Sequence, residues 1–353
     1  MKITKVKIEK FSAPLKEPFR VAFGVIEDAD SWTVKIETDE GIYGLGSAAP
    51  LAFVTGETMD TCYIVMKMFA DAFIGFDPMD IAGAHKLMDS IIYSNGAAKC
   101  AFDLALYDII GKKKGLPVYK VLGGTNPVVH NDITIGINAP EKMEADAKEY
   151  VFEKGFRILK VKTGLDLATD IRALTLIRNA VGPDVRIRID ANQGYSVETA
   201  LKALPEFEKL GIDAAEQFLP WWDFEGAAEL KRKNTTSVKL MLDESIHNIH
   251  DAHRAAKLDC ADFYNIKLMK CGGLYYGAQI ADIAEEAGVG CMVGCMQENK
   301  ISIAAGVSLV AAKKAIVEAD CDSFMFYKGD DDGIVGGVFT LLDKPGLGLD
   351  YDI

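Results

Sequence analysis

The pattern of apolar and polar residues changes near residue 125. Before that point, "KITKVKIEKF" and "SWTVKIETDEGIYGLGSA" alternate apolar and polar residues, which is typical of strands, and residues 39–41 form a hairpin turn in the second segment. The segment "GAAKCAFDLALYDIIGKKKG" is apolar on all sides of a helix, and Gly115 and Pro117 end it. The sequence therefore predicts an α+β domain over residues 1–125.

After residue 125, eight short apolar runs alternate with amphipathic segments. The last residues of successive runs recur about every 26 residues, which is the length of one strand, one helix and two loops. They are Lys162, Asp190, Glu216, Asp243, Lys267, Gly294 and Asp320. This period predicts an α/β chain with a TIM-like (β/α)7β barrel over residues 126–325.

Two lysines share one face of the second predicted barrel strand, "FRILKVK". Because side chains alternate along a strand, Lys160 and Lys162 point the same way, and the simplest interpretation of such a pair is a solvated strand face. A barrel strand is buried on both sides, so a barrel would instead direct both side chains inward at its mouth.

Three acidic residues end the next three predicted strands, namely Asp190, Glu216 and Asp243. The carboxyl ends of barrel strands meet at one face, so these carboxylates would converge and repel each other unless a cation held them together. All-oxygen ligation favours a hard divalent ion such as Mg²⁺. Each acid alone is better explained as a cap of the following helix, but three in register favour a metal site.

Composition disfavours several functions. The net charge of −13 argues against a nucleic-acid binder, which needs a concentrated basic face. The seven cysteines are scattered without CxxC pairs, which is typical of reduced thiols, and the N-terminus lacks the apolar core of a signal peptide. No apolar run is long enough to span a bilayer. We therefore expect a cytoplasmic protein with neither nucleic-acid nor membrane partners.

Five motifs together resemble the enolase superfamily, in its muconate-lactonizing-enzyme subgroup. They are Lys160-Val161-Lys162, "DANQG" from Asp190, "EQ" at Glu216, "DES" from Asp243 and "NIKLMKCGG" with Lys267. The resemblance covers almost the whole chain and implies that residues 1–125 are an N-terminal capping domain, on which a tail over residues 326–353 packs back. It also implies Mg²⁺ at the three acids, a base at Lys162 assisted by Lys160, and a second base at Lys267.

The two bases would lie on opposite walls, because Lys267 is about four strands from Lys162 in a ring of eight. A carbon between them can lose a proton on one face and gain one on the other, which is racemase or epimerase chemistry. Burial, Lys160 and the metal would lower the pKa of Lys162 and so free it to act as a base. Relatives with the same lysine pair also catalyse cycloisomerisation and dehydration, so the pair leaves these reactions open.

The histidines differ from those of mandelate-racemase-like relatives, which place a catalytic histidine late in the barrel. No histidine follows His253. His247, His250 and His253 are spaced i, i+3 and i+6 in the predicted helix after the fifth strand, on the outside of the barrel. A metal-ligand role for them is therefore disfavoured.

Asp320 and Asp322 end the eighth strand and share a face. Similar Asp-x-Asp motifs in dipeptide epimerases hold the α-ammonium group of an L-Ala-type dipeptide; the alternative is a surface turn. The resemblance thus implies a Mg²⁺-dependent dipeptide epimerase that inverts the α-carbon of the C-terminal residue through an enediolate. A cycloisomerase or an o-succinylbenzoate-synthase-type dehydratase, which bind no ammonium group, and a non-catalytic barrel protein are the alternatives.

The resemblance also implies pocket residues, with Thr134 in the first strand and Glu298 after the seventh. Gly24 stands where relatives specific for L-Ala-L-Glu have an arginine, and Arg20 is a nearby candidate to replace it. The same loop carries acidic residues, which favour a basic second side chain, and phenylalanines, which favour an apolar one. These are Glu27, Asp28, Asp30, Phe19 and Phe23. By analogy with similar barrels we expect a homo-oligomer.

Overall fold

The computed structural model describes residues 1–22, 24–327 and 336–350. The first part of the chain forms a three-stranded antiparallel sheet packed against helices. The strands are β1 (Ile3–Val21), β2 (Gly24–Thr38) and β3 (Tyr43–Ala48). The helices are α1 (Met59–Phe73), α2 (Ile81–Ile91), α3 (Gly96–Lys114) and α4 (Val118–Val121). The predicted α+β fold of this region is therefore confirmed.

Helix α3 packs directly on strand β3, as its apolar pattern predicts, and most of its 19 residues are buried. A Cβ atom on Gly44 would lie 1.9 Å from the carbonyl oxygen of Ala105. A Cβ atom on Gly46 would lie 1.8 Å from the carbonyl oxygen of Ala101. Only glycine allows the strand and the helix to approach so closely.

A short strand, β4 (Val128–His130), precedes eight parallel strands that pair in sequence order. The eight are β5 (Ile133–Ile135), β6 (Ile158–Lys162), β7 (Arg186–Asp190), β8 (Ile212–Glu216), β9 (Lys239–Leu242), β10 (Phe263–Lys267), β11 (Gly290–Gly294) and β12 (Ile316–Asp320). The amide of Asp132 donates to the carbonyl oxygen of Ala319 at 3.1 Å, which brings the first of these strands against the last. The predicted TIM-like barrel is confirmed.

Helices connect the strands on the outside of the barrel. They are α5 (Pro140–Lys148), α6 (Leu167–Val181), α7 (Val197–Lys209), α8 (Phe224–Lys233), α9 (Ile249–Leu258), α10 (Leu268–Cys271), α11 (Leu274–Glu286) and α12 (Lys300–Ala312). A π-helical turn (Glu149–Glu153) follows α5, and a 3₁₀ turn (Ser323–Phe326) follows β12. This arrangement leaves the carboxyl ends of the strands to form one face of the barrel.

The first hairpin is longer than the sequence pattern indicated. Strands β1 and β2 stay paired toward the hairpin end, where Phe19 lies opposite Ile26. Pro14 and Pro18 obscure this strand in the sequence because proline cannot donate to a sheet. They are tolerated since β1 is an edge strand and its register shifts between Pro14 and Phe19.

The described part of the C-terminal tail returns to the start of the barrel and to the first domain. Strand β13 (Val338–Thr340) pairs antiparallel with β4. The amide of Leu347 donates to Asp108 of α3 at 2.8 Å, and the amide of Val118 donates to the carbonyl oxygen of Gly346 at 2.9 Å. The tail therefore holds the two parts of the chain together.

All seven cysteines are free thiols. Across residues 1–22, 24–327 and 336–350, the helices are too short or too polar to cross a membrane.

Candidate active site

Three carboxylates meet at the carboxyl ends of neighbouring barrel strands. Asp190 ends β7, Glu216 ends β8 and Asp243 follows β9 directly. Asp190 and Glu216 are paired in register, so their side chains point inward side by side. One oxygen of each carboxylate lies within 4.8 Å of one oxygen of each of the others, and none of the three residues is more than 1% exposed. The structure thus brings together the three acids that the sequence singles out.

The donor set of this cluster fits a hard divalent cation. The side-chain amide of Asn265 donates to Glu216 Oε1 at 2.7 Å, and the backbone amide of Asn192 donates to Asp190 Oδ1 at 2.9 Å. Glu216 Oε2 and Asp243 Oδ2 are buried, and each contacts a lysine ammonium group, Lys160 at 2.9 Å and Lys267 at 2.8 Å. Three buried carboxylates this close repel each other unless cations offset their charge, and carboxylate oxygens are the ligands that Mg²⁺ prefers.

Lys160 lies at the centre of the barrel mouth and is fully buried. Its Nζ atom is 2.7 Å from Asp320, 2.9 Å from Glu216 and 3.2 Å from Asp190. Burial disfavours the charged form of Lys160, but the negative charges of Asp320 and its neighbours outweigh burial and raise its pKa. A solvated strand face, the simplest interpretation of the lysine pair, is therefore wrong.

Lys162 and Lys267 line one cavity from β6 and β10, which are four strands apart in the ring of eight. Lys162 Nζ is 2.6 Å from Asp190, and Lys267 Nζ is 2.8 Å from Asp243. Burial opposes the charge on Lys267, but the carboxylate of Asp243 outweighs burial and raises the pKa of this lysine. Two amines therefore flank the three carboxylates from opposite walls.

Lys270 joins Lys160, Lys162 and Lys267 as a buried lysine at the barrel mouth, and the sequence analysis missed it. Its Nζ atom donates to Asp243 Oδ1 at 2.5 Å, to the carbonyl oxygen of Asp243, and to the carbonyl oxygen of Asn265 at 3.0 Å. It therefore holds the carboxylate and the backbone of Asp243 from behind. The available signal was its place in "NIKLMKCGG", three residues after Lys267.

Asp320 and Asp322 line the same cavity and are buried, so the surface-turn alternative is wrong. The backbone amide of Thr134 donates to Asp322 at 2.7 Å, and the Thr134 hydroxyl donates to Asp320 at 3.3 Å. Burial, reinforced by the charge of Asp320, raises the pKa of Asp322 to about 7. Two adjacent buried carboxylates are a site for a cationic group.

Two further buried carboxyl groups near the cavity were not anticipated from the sequence. Glu244 lines the cavity, and its Oε1 atom accepts from the side-chain amide of Asn192 at 3.1 Å. Burial, followed by the charge of Asp243, raises the pKa of Glu244 to about 8. Asp132 lies just before β5, within 4.8 Å of Asp320 and Asp322. Glu244 was visible in the "DES" motif, whereas no sequence signal marked Asp132.

The rest of the cavity wall is largely apolar. The first domain contributes side chains from the β1–β2 hairpin and from the loop after β3, and the barrel contributes two more near β11 and β12. They are Phe19, Val21, Ile26, Leu51, Val54, Met296 and Phe326. The acidic hairpin residues Glu27 and Asp28 are exposed, and Asp30 pairs with Lys10 at 2.9 Å. Phe23 lies outside the described residues.

Three residues that the sequence placed in the pocket occupy different positions. Gly24 lies at the hairpin end, where an added Cβ would be 3.8 Å from the ring of Phe53. Arg20 lines a neighbouring cavity that shares Phe19 with this one. The carboxylate of Glu298 turns back to accept from the amide of Met296 at 2.9 Å, within its own loop.

None of the histidines, all of which lie in the described part of the chain, is a member of these carboxylate clusters. His250 and His253 lie in α9, but His247 precedes the helix, so its predicted helical position is wrong. Asn248 caps the helix instead, because its side chain accepts from the amides of the first turn. In the part of the chain that the structure describes, the groups of side chains that could hold a metal contain only Asp and Glu.

Comparison with known families accounts for both parts of the chain. Residues 3–123 match the N-terminal domain of mandelate racemase and muconate lactonizing enzymes, and residues 142–352 match the enolase C-terminal domain-like family. The chain belongs to the enolase superfamily. This assignment confirms the resemblance inferred from the motifs and fits the barrel with its N-terminal domain.

Relatives of this superfamily member span several substrates. The chain is 41% identical to the hydrophobic dipeptide epimerase of Enterococcus faecalis, over 99% of this chain and 97% of that protein. It is 38% identical to the L-Ala-D/L-Glu epimerase of Clostridium acetobutylicum, over 99% of each. It is 36% identical to the N-succinyl-L-Arg/Lys racemase of Bacillus cereus, over 100% of this chain and 96% of that protein. All three are isomerases, and so is this member of the superfamily.

A solved structure of the Enterococcus faecalis dipeptide epimerase, complexed with Mg and L-Leu-L-Tyr, superposes with a TM-score of 0.96 at 39% identity, covering 99% of this chain and 100% of that one. The dipeptide epimerase of Cytophaga hutchinsonii, complexed with Mg and D-Ala-L-Val, superposes with a TM-score of 0.95 at 35% identity, covering 100% and 96%. Because the named substrates differ among relatives, the residues of this chain's own cavity must decide its substrate.

Proposed function

We propose that this protein is a Mg²⁺-dependent dipeptide epimerase that inverts the α-carbon of the C-terminal residue, and that this residue carries an apolar side chain. The observation that carries the proposal is one cavity lined by Lys162 and Lys267, by the buried Asp320–Asp322 pair, and by Asp243, which belongs to the cluster with Asp190 and Glu216. Each of these three groups corresponds to one part of a dipeptide.

The substrate carboxylate would lie at the metal cluster. Asp190, Glu216 and Asp243 would hold Mg²⁺, which supplies Lewis-acid polarisation of the substrate carboxylate when it is bound. Lys160 adds a fixed positive charge beside Asp190 and Glu216. A positive charge fixed in a buried site stabilises the negative charge that develops on the carboxylate when the α-proton leaves.

Lys162 and Lys267 would move the proton. One lysine, in its neutral form, takes the α-proton; the C–H electron pair passes into the carboxylate to give an enediolate, and the second lysine returns a proton to the opposite face. The atoms balance, because one N–H bond forms as the other breaks. The placement of the two lysines on β6 and β10 supports this division of labour.

The α-ammonium group of the first residue would lie at Asp320 and Asp322. An ammonium group offers only donors, and two buried carboxylates offer only acceptors when ionised. A cycloisomerase or o-succinylbenzoate-synthase substrate has no such cation, and an N-succinyl amino acid would bring a further negative charge to this end. The carboxylate pair therefore favours a free dipeptide over these alternatives.

The second side chain would face the apolar wall. Phe19, Ile26, Leu51 and Val54 offer no partner for a charge. An apolar side chain gains about 25 cal/mol for each Å² that it buries there, whereas a charged one loses its hydration. The similarity to a hydrophobic dipeptide epimerase supports the same substrate class.

Solvent deuterium exchange tests the proposal. The enzyme with Mg²⁺ in D₂O is incubated separately with L-Ala-L-Leu, L-Ala-L-Phe, L-Ala-L-Glu, L-Ala-L-Lys and N-succinyl-L-Leu, and the label is located by mass spectrometry. We expect deuterium at the α-carbon of the second residue, with the apolar dipeptides fastest. Absence of exchange with every dipeptide, or faster exchange of N-succinyl-L-Leu, would overturn the assignment.

A further inference from the structure

A second group of three carboxylates lies beside the proposed Mg²⁺ ligands. One oxygen each of Asp132, Asp320 and Asp322 lies within 4.8 Å of one oxygen of each of the others. None of the three residues is more than 4% exposed. The group therefore falls within the same distance limit as the cluster of Asp190 and its partners, and it is largely shielded from bulk water.

Asp132 gives this group a property that the Asp320–Asp322 pair lacks. Both oxygens of the Asp132 carboxylate are buried, and neither has a hydrogen-bond partner. The guanidinium of Arg188 is 3.5 Å from Asp132 Oδ2, beyond ordinary hydrogen-bond distance. Arg188 also contacts Glu318 at 2.6 Å, so its charge is shared. A buried carboxylate in this state is costly and points to a missing positive partner.

Asp320 and Asp322, the other two members of the group, each have a close partner on only one carboxylate oxygen. Asp320 Oδ2 receives Lys160 at 2.7 Å, and Asp322 Oδ2 receives the amide of Thr134 at 2.7 Å. Their Oδ1 atoms have weaker partners, the Thr134 hydroxyl at 3.3 Å and the Cys295 thiol at 3.9 Å. Each of these carboxylates therefore keeps an oxygen with capacity for a cation.

We infer that Asp132, Asp320 and Asp322 form a second site for a hard divalent cation, distinct from the Mg²⁺ site at Asp190, Glu216 and Asp243. Three converging carboxylates suit Mg²⁺ or Mn²⁺, which prefer oxygen donors. The site is occupied when no substrate is present. It shares Asp320 and Asp322 with the ammonium position of the proposed function, so a dipeptide displaces its cation while leaving the first metal in place.

Manganese binding tests this inference without any measurement of activity. Mn²⁺ is titrated into the full-length protein, and free Mn²⁺ is followed by its electron paramagnetic resonance signal. We expect two ions per chain. Asp132→Asn and, independently, Asp322→Asn should weaken one of them at least tenfold, whereas Asp243→Asn should weaken the other.

Matched controls separate a site effect from a folding effect. Asp170→Asn alters a buried carboxylate that is bonded to Tyr195 and belongs to neither cluster, so both ions should remain. Circular dichroism of each variant verifies the fold. A single ion per wild-type chain, or two ions of unchanged affinity in both Asp132→Asn and Asp322→Asn, would overturn the inference.

Competition with peptides links the second site to the substrate and rests on the proposed function. L-Ala-L-Leu should release one Mn²⁺ ion, whereas N-acetyl-L-Ala-L-Leu, which lacks the ammonium group, should release none. If the ion count responds to Asp132→Asn but neither peptide releases an ion, the second cation site stands and the placement of the dipeptide fails. The two claims can therefore be judged separately.

Discussion

The mouth of the barrel lies at the carboxyl ends of its strands, and the floor lies toward their amino ends. Both regions bury charge, but they do so differently. On the floor, Arg188 and Arg186 each contact Glu318 at 2.6 Å, so charge is balanced locally. In the mouth, acids outnumber lysines. The buried acids are Asp132, Asp190, Glu216, Asp243, Glu244, Asp320 and Asp322, and the buried lysines are Lys160, Lys162, Lys267 and Lys270. Paired charges fix the fold, whereas an excess of one sign marks a place that needs a ligand.

The pKa directions agree with this contrast. Burial opposes ionisation of Glu318, but the guanidinium of Arg188 outweighs it and lowers the pKa of this carboxyl. In the mouth, burial raises the pKa of Asp322 to about 7, and the charge of Asp320 adds to it. Lysine charges likewise lower the pKa of Asp243 in the mouth, so the contrast lies with Asp322, whose strongest charged neighbour is another acid.

The largest effect is expected from removing either proposed base in the mouth. Lys162→Met and Lys267→Met should each lower the rate of epimerisation by about 10²- to 10⁴-fold, because each removes one partner in proton transfer. Each variant should still exchange the α-proton of one epimer of L-Ala-Leu in D₂O, and the two variants should differ in which epimer exchanges. Proton NMR of both epimers measures this.

A matched control for these variants is Lys202→Met, which removes an exposed lysine paired with Glu198 on α7. It should leave both rates unchanged. Loss of exchange from both epimers in each single lysine variant would contradict the assignment of one face to each base.

The features of the barrel mouth that the sequence predicted follow from the regular geometry of strands and of the barrel. Lys162, Asp190, Glu216 and Lys267 end their strands, and Lys160 lies two residues earlier on the same face of β6. Side-chain alternation and the barrel period therefore place them at one face. The strands and the helix α3 were predicted for the same reason, since burial on both sides gives continuous apolar runs.

The parts that the sequence missed depend on contacts between distant segments. Asp132 meets Asp320 only because the first barrel strand closes against the last, and Lys270 reaches Asp243 only because α10 begins directly after β10. The length of the first hairpin was hidden by Pro14 and Pro18, whose tolerance depends on the edge position of β1. The local pattern of apolar and polar residues does not reveal these contacts or the edge position of β1.

On the floor, the expected effect is on stability. Glu318→Gln should lower the free energy of unfolding in urea by about 3 kcal/mol, because it leaves Arg188 buried without its partner. The epimerisation rate of the folded enzyme should change by less than about threefold. Glu198→Gln, which removes the partner of the exposed Lys202, serves as the control. It should lower the free energy of unfolding by less than about 1 kcal/mol. If Glu318→Gln abolished activity without lowering stability, the contrast between a functional mouth and a structural floor would be contradicted.

Metal should stabilise the mouth by linkage. At Mg²⁺ concentrations about 100 times the dissociation constant, the folded state gains about 2.7 kcal/mol, and the thermal midpoint rises. Asp243→Asn should remove the part of this gain that comes from the ion at Asp190, Glu216 and Asp243, whereas Glu318→Gln should keep it. Differential scanning calorimetry with Mg²⁺ and with EDTA makes the comparison, and equal gains in the two variants would contradict it.

The smallest effect concerns His247, beside the metal-ligand loop. Burial, reinforced by the charge of Lys270, lowers its pKa from 6.5 to about 4. As the pH falls, the unfolded chain therefore binds this proton before the folded chain does. The contribution of neutral His247 to the stability of the fold is complete above pH 6.5 and is lost as the pH falls toward 4. Because the ring is only partly buried, the loss should be roughly 2 kcal/mol. Urea titrations between pH 4 and 7 should show a shallower pH dependence in His247→Gln.

The most direct test of the central claim is a crystal structure of the protein with Mg²⁺ and L-Ala-L-Leu. We expect one Mg²⁺ ion about 2.0–2.1 Å from carboxylate oxygens of Asp190, Glu216 and Asp243. The α-carbon of leucine should lie between the Nζ atoms of Lys162 and Lys267. An ion bound elsewhere, or both lysines on the same side of that carbon, would contradict the account.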